Sequence, residues 1–179
     1  IAIISDIHDN LPNLEKFLGY AKKEKIKSLI VCGDTGNEET LRFLTCNFKG
    51  EIYLVRGNLD QKIEAPDFKI LEGDEINLIF TSAKALEIDK IKIAFCHFPA
   101  EAKKLALTRK LALNRAEGYD FVFYGHTHKP WLEEIPRHGS GRAGSCFLAN
   151  PGNLAGQFYK ATFAILDTKT RWLELKILE

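Results

Sequence analysis

The sequence lacks the features that mark membrane, secreted and nucleic-acid-binding proteins. No apolar run approaches the roughly 20 residues that a membrane-spanning helix needs, and none resembles the apolar segment of a secretory signal. The 25 basic and 24 acidic residues leave a formal net charge of +1, so no broad basic surface for nucleic acid or an anionic membrane is expected. Any affinity for phosphate must therefore come from a local site.

Cysteine is scarce and shows no pairing pattern. No Cys-x-x-Cys pair occurs, and three of the four cysteines lie in or beside apolar runs, where a reduced and buried thiol is expected. The four are Cys32, Cys46, Cys96 and Cys146. A chain of 179 residues can bury a core without disulfides, so we expect a cytoplasmic protein with free thiols.

The first half of the chain alternates short apolar runs with helical patterns. Strands are predicted at residues 1–5, 28–32 and 51–55. Between them, apolar residues recur at helical spacing over 11–21, with Asn10 as N-cap and Pro12 in the first turn. A shorter helix is predicted at 38–46. This order indicates a parallel sheet covered by helices.

The second half consists mostly of predicted strands. One amphipathic stretch at 101–116, ending before Gly118, predicts a helix, and residues 137–145 predict a flexible loop. The strands are predicted at 76–80, 91–95, 121–124, 131–135, 146–149, 161–166 and 172–177, with the last two forming a hairpin. So many strands would overfill one parallel sheet. We therefore expect an α/β fold with two sheets packed face to face, helices outside, and residues 1–179 in one domain.

Polar side chains follow five of the predicted strands directly. They are Asp6 and His8, then Asp34, Asn58, His97, and finally His126 and His128. In open α/β sheets, ligands bind in the crevice beyond the carboxyl ends of the strands. Four of the five histidines in the chain fall at such positions.

Each of these short motifs is ordinary when it is taken alone. Asp6-x-His8 also fits a polar transition from strand to loop, and Gly33-Asp34 and Gly57-Asn58 also fit turns. Gly125-His126-Thr127-His128 is more specific, because alternation at a strand end can place both rings on one side. All five motifs in this order, each after an apolar strand, indicate a metal site.

The donor set has a defined chemical character. It consists of carboxylate, amide and imidazole groups without thiolate, which suits Mn, Fe, Ni or Zn. Seven protein ligands are too many for one transition-metal ion. They are appropriate for two ions that share a carboxylate.

The same motifs resemble those of the calcineurin-like metallophosphoesterases. The opening Ser5-Asp6-x-His8-x-Asn10, the segment Arg56-Gly57-Asn58-x-Asp60 and the turn at 150–152 resemble the small bacterial and archaeal phosphodiesterase branch, which is YfcE-like. This resemblance implies a four-layer α/β/β/α sandwich of two mixed sheets, the metallo-dependent phosphatase fold, with a dinuclear centre at one sheet edge. No separate cap domain is evident.

The resemblance also implies roles for the individual side chains. Asp6, His8 and His128 would hold one divalent ion, Asn58, His97 and His126 would hold the other, and Asp34 would bridge both. A hydroxide shared by the two metals would attack phosphorus in line. Manganese is the first expectation for the metal, with Fe, Ni and Zn as alternatives. The residues expected to take part in catalysis are Asp34, Asn58, His97 and Arg56.

Two departures from the family pattern concern proton transfer to the leaving group. The phosphoprotein phosphatases of the superfamily have a histidine after the asparagine, where this chain has Leu59. Relatives often have His-Gly-His where this chain reads His97-Phe98-Pro99. Because the obvious general acids are absent, we expect a preference for esters with acidic leaving groups.

Several neighbouring residues allow more than one interpretation. Arg56 could bind a substrate phosphate or form a surface ion pair. Asp9 and Asp60 could orient a ligand histidine or cap a helix or turn. Asn153 is expected in a turn near the metals. If the loop at 137–145 folds over the crevice, its arginines could select substrates; otherwise it is a solvated segment.

The leading functional hypothesis is an enzyme that hydrolyses small phosphodiesters. A phosphomonoesterase or protein phosphatase is an alternative that Leu59 disfavours. A second alternative is a non-catalytic protein-binding scaffold, like the retromer subunit of this superfamily. In that case Phe98 and Trp131, which lie beside the motif loops, could contact a protein partner. A homo-oligomer is also left open.

Overall fold

The structure contains two mixed sheets, a short hairpin and three helices within the residues that it describes. It is a computed structural model, and it describes residues 1–60, 83–107, 110–112, 115–136 and 145–179. The helices are α1 (Leu11–Lys23), α2 (Glu38–Asn47) and α3 (Pro99–Leu107). The strands are β1 (Ala2–Ile4), β2 (Ser28–Val31), β3 (Glu51–Leu54), β4 (Ala83–Ile88), β5 (Ile91–Cys96), β6 (Lys110–Ala112), β7 (Arg115–Glu117), β8 (Phe121–Phe123), β9 (Trp131–Pro136), β10 (Ser145–Asn150), β11 (Thr162–Asp167) and β12 (Trp172–Ile177).

The two main sheets have five strands each and similar organisation. The first has the order β12-β11-β1-β2-β3, with β1, β2 and β3 parallel and β11 and β12 antiparallel. The second has the order β4-β5-β8-β10-β9, with β5, β8 and β10 parallel and the two edge strands antiparallel. In each sheet the parallel strands therefore deliver their following loops to one edge.

Three apolar clusters separate four layers. Alternate residues of β1 point to opposite sides: Ile4 packs with α1 and α2, whereas Ile3 packs between the two sheets. A third cluster joins α3, through Ala102 and Ala106, to the outer face of the second sheet. The layer order is α/β/β/α, as predicted. Burial on both faces explains why these strands are continuous apolar runs.

Most predicted elements are found within one or two residues of their predicted ends. Asn10 caps α1 by accepting a hydrogen bond from the Asn13 amide at 3.1 Å, and β11 and β12 form the predicted hairpin. The strand β4 was not predicted. The strand predicted at 76–80 and the loop positions 137–144 lie outside the described residues, whereas Ser145 opens β10.

The predicted helix at 101–116 was wrong in its second half. Helix α3 ends at Leu107, and residues of β6 pair with residues of β7 in an antiparallel hairpin. A helical pattern gains most of its stability from packing against a partner surface, and α3 buries only the small side chains Ala102 and Ala106.

None of the helices in the described ranges is long and apolar enough to cross a membrane.

Candidate metal centre

The loops after β1 and β2 are joined through their backbones at the shared sheet edge. The Asp6 amide donates to the Gly33 carbonyl at 3.0 Å, and the His8 amide donates to the Asp34 carbonyl at 3.1 Å. On the second sheet, the Gly125 amide donates to the His97 carbonyl at 3.1 Å. These contacts hold the loops that carry the candidate ligands side by side.

Five of the candidate ligands have a left-handed backbone. Their φ angles are 53° for Asp6, 47° for His8, 53° for Asp34, 68° for His126 and 57° for His128. This conformation is uncommon outside glycine, costs about 1 kcal/mol or more per residue, and persists where surrounding contacts enforce it. Such strain is typical of functional sites.

Asp6, His8 and His128 form a first group of potential ligands. The Nε2 atoms of His8 and His128 are 3.0 Å apart. Asp6 Oδ1 lies 3.6 Å from His8 Nε2 and 3.3 Å from His128 Nε2. Around an ion bound at about 2.0–2.2 Å, neighbouring ligand atoms lie about 3–3.5 Å apart, so this group fits one divalent cation.

Asp34, Asn58, His97 and His126 form a second group. Asn58 Oδ1 lies 3.0 Å from both His97 Nε2 and His126 Nδ1. His97 Nδ1 donates to the Cys32 carbonyl at 2.8 Å, so in the neutral ring the lone pair of Nε2 is directed into the group. Carboxylate, amide and imidazole donors again suit a transition-metal ion.

The carboxylate of Asp34 lies between the two groups. Its Oδ2 is 3.4 Å from His97 Nε2 in the second group and 4.0 Å from His8 Nε2 in the first. Its Oδ1 accepts a hydrogen bond from the Leu59 amide at 2.8 Å, which fixes the plane of the carboxylate. The sequence-predicted ligands therefore lie together, with Asp34 in contact with both halves.

The carboxylates and histidines of the site shift each other's pKa values toward their charged forms. Burial acts to raise the pKa of Asp34, but hydrogen bonds from His97 and the Leu59 amide outweigh it and lower that pKa. The hydrogen bond to Asp6 raises the pKa of His8. Burial acts to lower the pKa of His97, yet its contacts with Asp34 and the Cys32 carbonyl raise that pKa overall. Cations would compete with these protons.

Asp60 organises the two loops that carry Asp34 and Asn58. Its buried carboxylate accepts hydrogen bonds from the amides of Asp34 at 2.7 Å, Gly57 at 2.8 Å, Thr35 at 2.9 Å and Gly36 at 3.2 Å. Of the two roles considered for Asp60, the structure shows the turn-capping one.

Asp9 has a comparable capping role at the start of α2. Its Oδ1 accepts from the Asn37 amide at 2.8 Å and the Thr40 hydroxyl at 2.5 Å. Asn37 is itself the N-cap of α2. Asp9 therefore joins the loop after β1 to a helix.

Two buried asparagines, which the sequence placed only in a turn, position the histidine loop. Asn150 donates to the Gly125 carbonyl at 2.9 Å and to the Thr127 hydroxyl at 3.0 Å. Asn153 donates to the His128 carbonyl at 3.0 Å. The segment at 150–153 was the only local signal for these contacts.

The glycines of the motifs allow close approach of backbone to ligand. A Cβ atom added to Gly57 would collide with Asp34 Oδ1, and one added to Gly125 would collide with Ser5 Oγ. Neither glycine has a positive φ. Space beside the carboxylates, and not backbone conformation, therefore requires glycine here.

The remaining predicted residues lie around the ligands. Arg56 is half-buried, two residues before Asn58. Leu59 is exposed, and Pro99 is the first residue of α3. The Phe98 ring packs edge-on against His97 and His126, with centroid distances of 4.9 and 5.0 Å.

The cysteines take no part in either ligand group. All four are free, and three are buried. Burial raises the pKa of Cys32 well above its usual range and that of Cys96 to about 12. The prediction of reduced, buried thiols is confirmed for Cys32, Cys96 and Cys146, whereas Cys46 is exposed.

Comparisons with known proteins find relatives along nearly the whole chain. Residues 1–171 match the model of the calcineurin-like phosphoesterase superfamily domain. The chain is 29% identical over 181 residues to phosphodiesterase MJ0936 of Methanocaldococcus jannaschii, covering 100% of this chain and 99% of that protein. A solved structure of an archaeal phosphodiesterase superposes with a TM-score of 0.76 at 25% identity, covering 99% of this chain and 98% of the other.

Two more distant structures share the fold. YfcE, a phosphoesterase from E. coli, gives a TM-score of 0.56 at 17% identity, with 99% of this chain and 98% of the other covered. Vps29 of Chaetomium thermophilum gives 0.57 at 18% identity, with 93% and 80% covered. At this identity, each likeness concerns the architecture alone.

Proposed function

Since this chain belongs to the calcineurin-like phosphoesterase superfamily, we propose that it is a phosphodiesterase that works with two divalent metal ions. The likeness to phosphodiesterase MJ0936 along the whole chain supports a diester substrate. We also infer that residues 1–179 act as one domain without a cap. The match of the family model to residues 1–171 supports this.

The position of Asp34 is the observation that carries the proposal. Its carboxylate lies within 4.0 Å of a histidine from each ligand group. In the proposed site, the first group would hold one ion, the second group would hold the other, and Asp34 would serve both. When bound, two such ions lower the pKa of a water that attacks phosphorus and neutralise the phosphoryl oxygens.

Protein groups around the ions position the ligand side chains and the substrate phosphate. The Cys32 carbonyl fixes the tautomer of His97, and the His126 amide holds the Asp6 carboxylate at 3.0 Å. We assign Arg56 to phosphate binding, because its forked donors match phosphoryl oxygens and it precedes the Gly57-Asn58 turn. The donor set suits Mn, Fe, Ni or Zn, and Mn is our first choice. The free thiols favour a cytoplasmic location.

Metal analysis and hydrolysis of bis(p-nitrophenyl) phosphate test the proposal. The wild type should bind two equivalents of Mn²⁺ and release p-nitrophenol, whereas Asp34→Asn should lose at least about 100-fold in rate, since even outer contacts of metal sites cost 10–100-fold. Asp167→Asn is the matched control: Asp167 caps an exposed turn at the opposite end of the first sheet. Equal activity of wild type and Asp34→Asn would exclude the proposed chemistry.

The same assay separates the alternatives. A phosphomonoesterase would prefer p-nitrophenyl phosphate to the diester. A non-catalytic scaffold would bind a partner without turnover. Loss of catalysis should erode the ligands, yet both groups retain carboxylate and imidazole donors within 4.8 Å of one another. We therefore rank the enzyme first.

A further inference from the structure

Phe158 is an unusual residue beside the first ligand group. Its side chain is 92% exposed, and its ring lies 6.3 Å from the ring of His128. Its backbone φ is 64°, a conformation that bulky residues rarely adopt. A single exposed aromatic residue needs no explanation, but one held at a strained position next to a ligand histidine points to a role.

The strain at Phe158 belongs to a tight turn. The Tyr159 amide donates to the Gln157 carbonyl at 2.8 Å across Phe158, which makes a γ-turn with positive φ, a rare and strained type. Buried Asn153 grips Gln157 from both sides: its Oδ1 accepts from the Gln157 amide at 2.9 Å, and its Nδ2 donates to the Gln157 carbonyl at 3.2 Å. The turn is therefore held in place by protein contacts.

The same segment is anchored to the loops of the first ligand group. Asn153 also donates to the His128 carbonyl at 3.0 Å. The Leu154 amide donates to the Ser5 carbonyl at 2.9 Å, and the Ala155 amide donates to the Asp6 carbonyl at 3.0 Å. The backbone of the turn at Phe158 is thus held relative to the loops of both Asp6 and His128, while the Phe158 side chain stays 92% exposed.

We propose that Phe158 is a stacking surface for a planar ring of the substrate, so that the preferred substrate is a phosphodiester with an aryl or nucleoside substituent. This inference rests on the proposed function, since it needs a phosphate group at the metal centre. Phe98 differs from Phe158: its side chain is 41% exposed, and its ring already packs against His97 and His126. Stacking of a base on an aromatic side chain is tolerant of sequence and ring type.

Binding of two phosphonates to the Mn²⁺-loaded protein tests the proposal without any hydrolysis. Phenylphosphonate and methylphosphonate present the same anion and differ in the ring. By calorimetry, the wild type should bind phenylphosphonate about fivefold or more tightly than methylphosphonate. Phe158→Ala should lose that preference while its affinity for methylphosphonate stays unchanged, and Phe158→Tyr should retain the preference.

Trp172→Ala is the matched control, because Trp172 is an exposed aromatic residue that pairs with Asp167 at the end of the sheet opposite the ligands. It should bind both phosphonates like the wild type. A preference that survives in Phe158→Ala, or that disappears only in Phe98→Ala, overturns the inference, as does failure of the loaded wild type to bind either phosphonate. A ring preference without diester hydrolysis would support the stacking role and contradict the proposed function.

Discussion

At the residue scale, Leu59 and Pro99 stand where relatives carry proton-donating side chains, and we expect this to limit which leaving groups the proposed enzyme can expel. Leu59 is 50% exposed, and its amide donates to Asp34, so the residue borders the ligand groups. Pro99 is the first residue of α3. Neither side chain can donate a proton. We therefore expect the leaving group to depart as an anion or to take its proton from solvent.

The first prediction is a steep dependence of rate on the acidity of the leaving group. Rates should fall in a series of phosphodiesters whose leaving group changes from p-nitrophenol to phenol to an alkyl alcohol. General acid catalysis contributes about 10²–10⁴-fold for poor leaving groups, and we expect this enzyme to lack it. Leu59→His should raise the rate for the phenyl ester at least about tenfold and change the p-nitrophenyl rate little. Steady-state kinetics on the ester series measures both effects.

Leu59→Gln is the control for this prediction, since glutamine offers polarity without a group that titrates near neutral pH. It should behave like the wild type across the ester series. Comparable wild-type rates on alkyl and p-nitrophenyl esters would show that another group protonates the leaving group.

Single residues differ in how far the sequence could predict their positions. Asp34 and His97 could be placed at one site because each directly follows an apolar strand. Asp60 and Asn153 could not be assigned their contacts. Their partners are backbone atoms, such as the Asp34 amide and the His128 carbonyl, which lie 26 and 25 residues away. Hydrogen bonds to backbone atoms depend on the folded path of the chain and leave no pattern of side chains.

At the scale of elements, the motif loops are close-packed because they leave parallel strands at one edge. The amides of both Asp34 and Gly57 donate to the same carboxylate, that of Asp60. A Cβ atom on Gly57 would collide with Asp34 Oδ1 and the Asp34 amide nitrogen. Any side chain there must move the Asp34 loop away from the loop after β3.

The second prediction compares Gly57→Ala with Gly19→Ala. Gly57→Ala should lower the free energy of unfolding by about 1–3 kcal/mol, the usual cost of overpacking, and should weaken metal binding. Gly19 lies on the exposed face of α1, with no atom within 4 Å of an added Cβ. Gly19→Ala should therefore raise the free energy of unfolding by about 0.5–1 kcal/mol. Urea unfolding and Mn²⁺ titration of both variants measure these effects.

The two variants should change the free energy of unfolding in opposite directions, and this difference decides the test. If Gly57→Ala were as stable as the wild type and bound Mn²⁺ equally well, the Asp34 loop would have room that the structure does not show. A destabilised Gly19→Ala would mean that the exposed face of α1 carries an unrecognised contact.

Burial on one or both faces made several elements easy to predict, although the exposed strand β9 was predicted as well. β1 and β2 are buried on both faces, and α1 has a regular apolar stripe, so all three were recognised. β4 escaped prediction because Lys84 and Glu87 interrupt an edge strand that pairs only with β5. The hairpin of β6 and β7 was taken for helix, since short runs fit either period.

At the scale of the whole molecule, the candidate metal centre lies outside the three apolar clusters that form the core. Three apolar clusters hold the four layers together, and neither ligand group contributes to them. In the ligand groups, the carboxylates of Asp6 and Asp34 are buried beside histidines. The pKa values of two of these histidines, His8 and His97, are raised. The metal-free protein should therefore fold, with its weakest region at this edge.

The third prediction is that divalent metal raises the melting temperature without changing the fold. A ligand that binds only the folded protein, at a concentration 100 times its Kd, stabilises by about 2.7 kcal/mol. For a chain of this size, that corresponds to a rise of about 5–10 °C. Scanning calorimetry with Mn²⁺ and with EDTA should show the shift in the wild type, while the far-UV circular dichroism spectrum stays the same.

The melting temperature of Asp34→Asn should shift much less, because this substitution weakens both ligand groups at once. Unfolding by EDTA alone would instead make the metals part of the core, and an equal shift in Asp34→Asn would place the stabilising ion elsewhere.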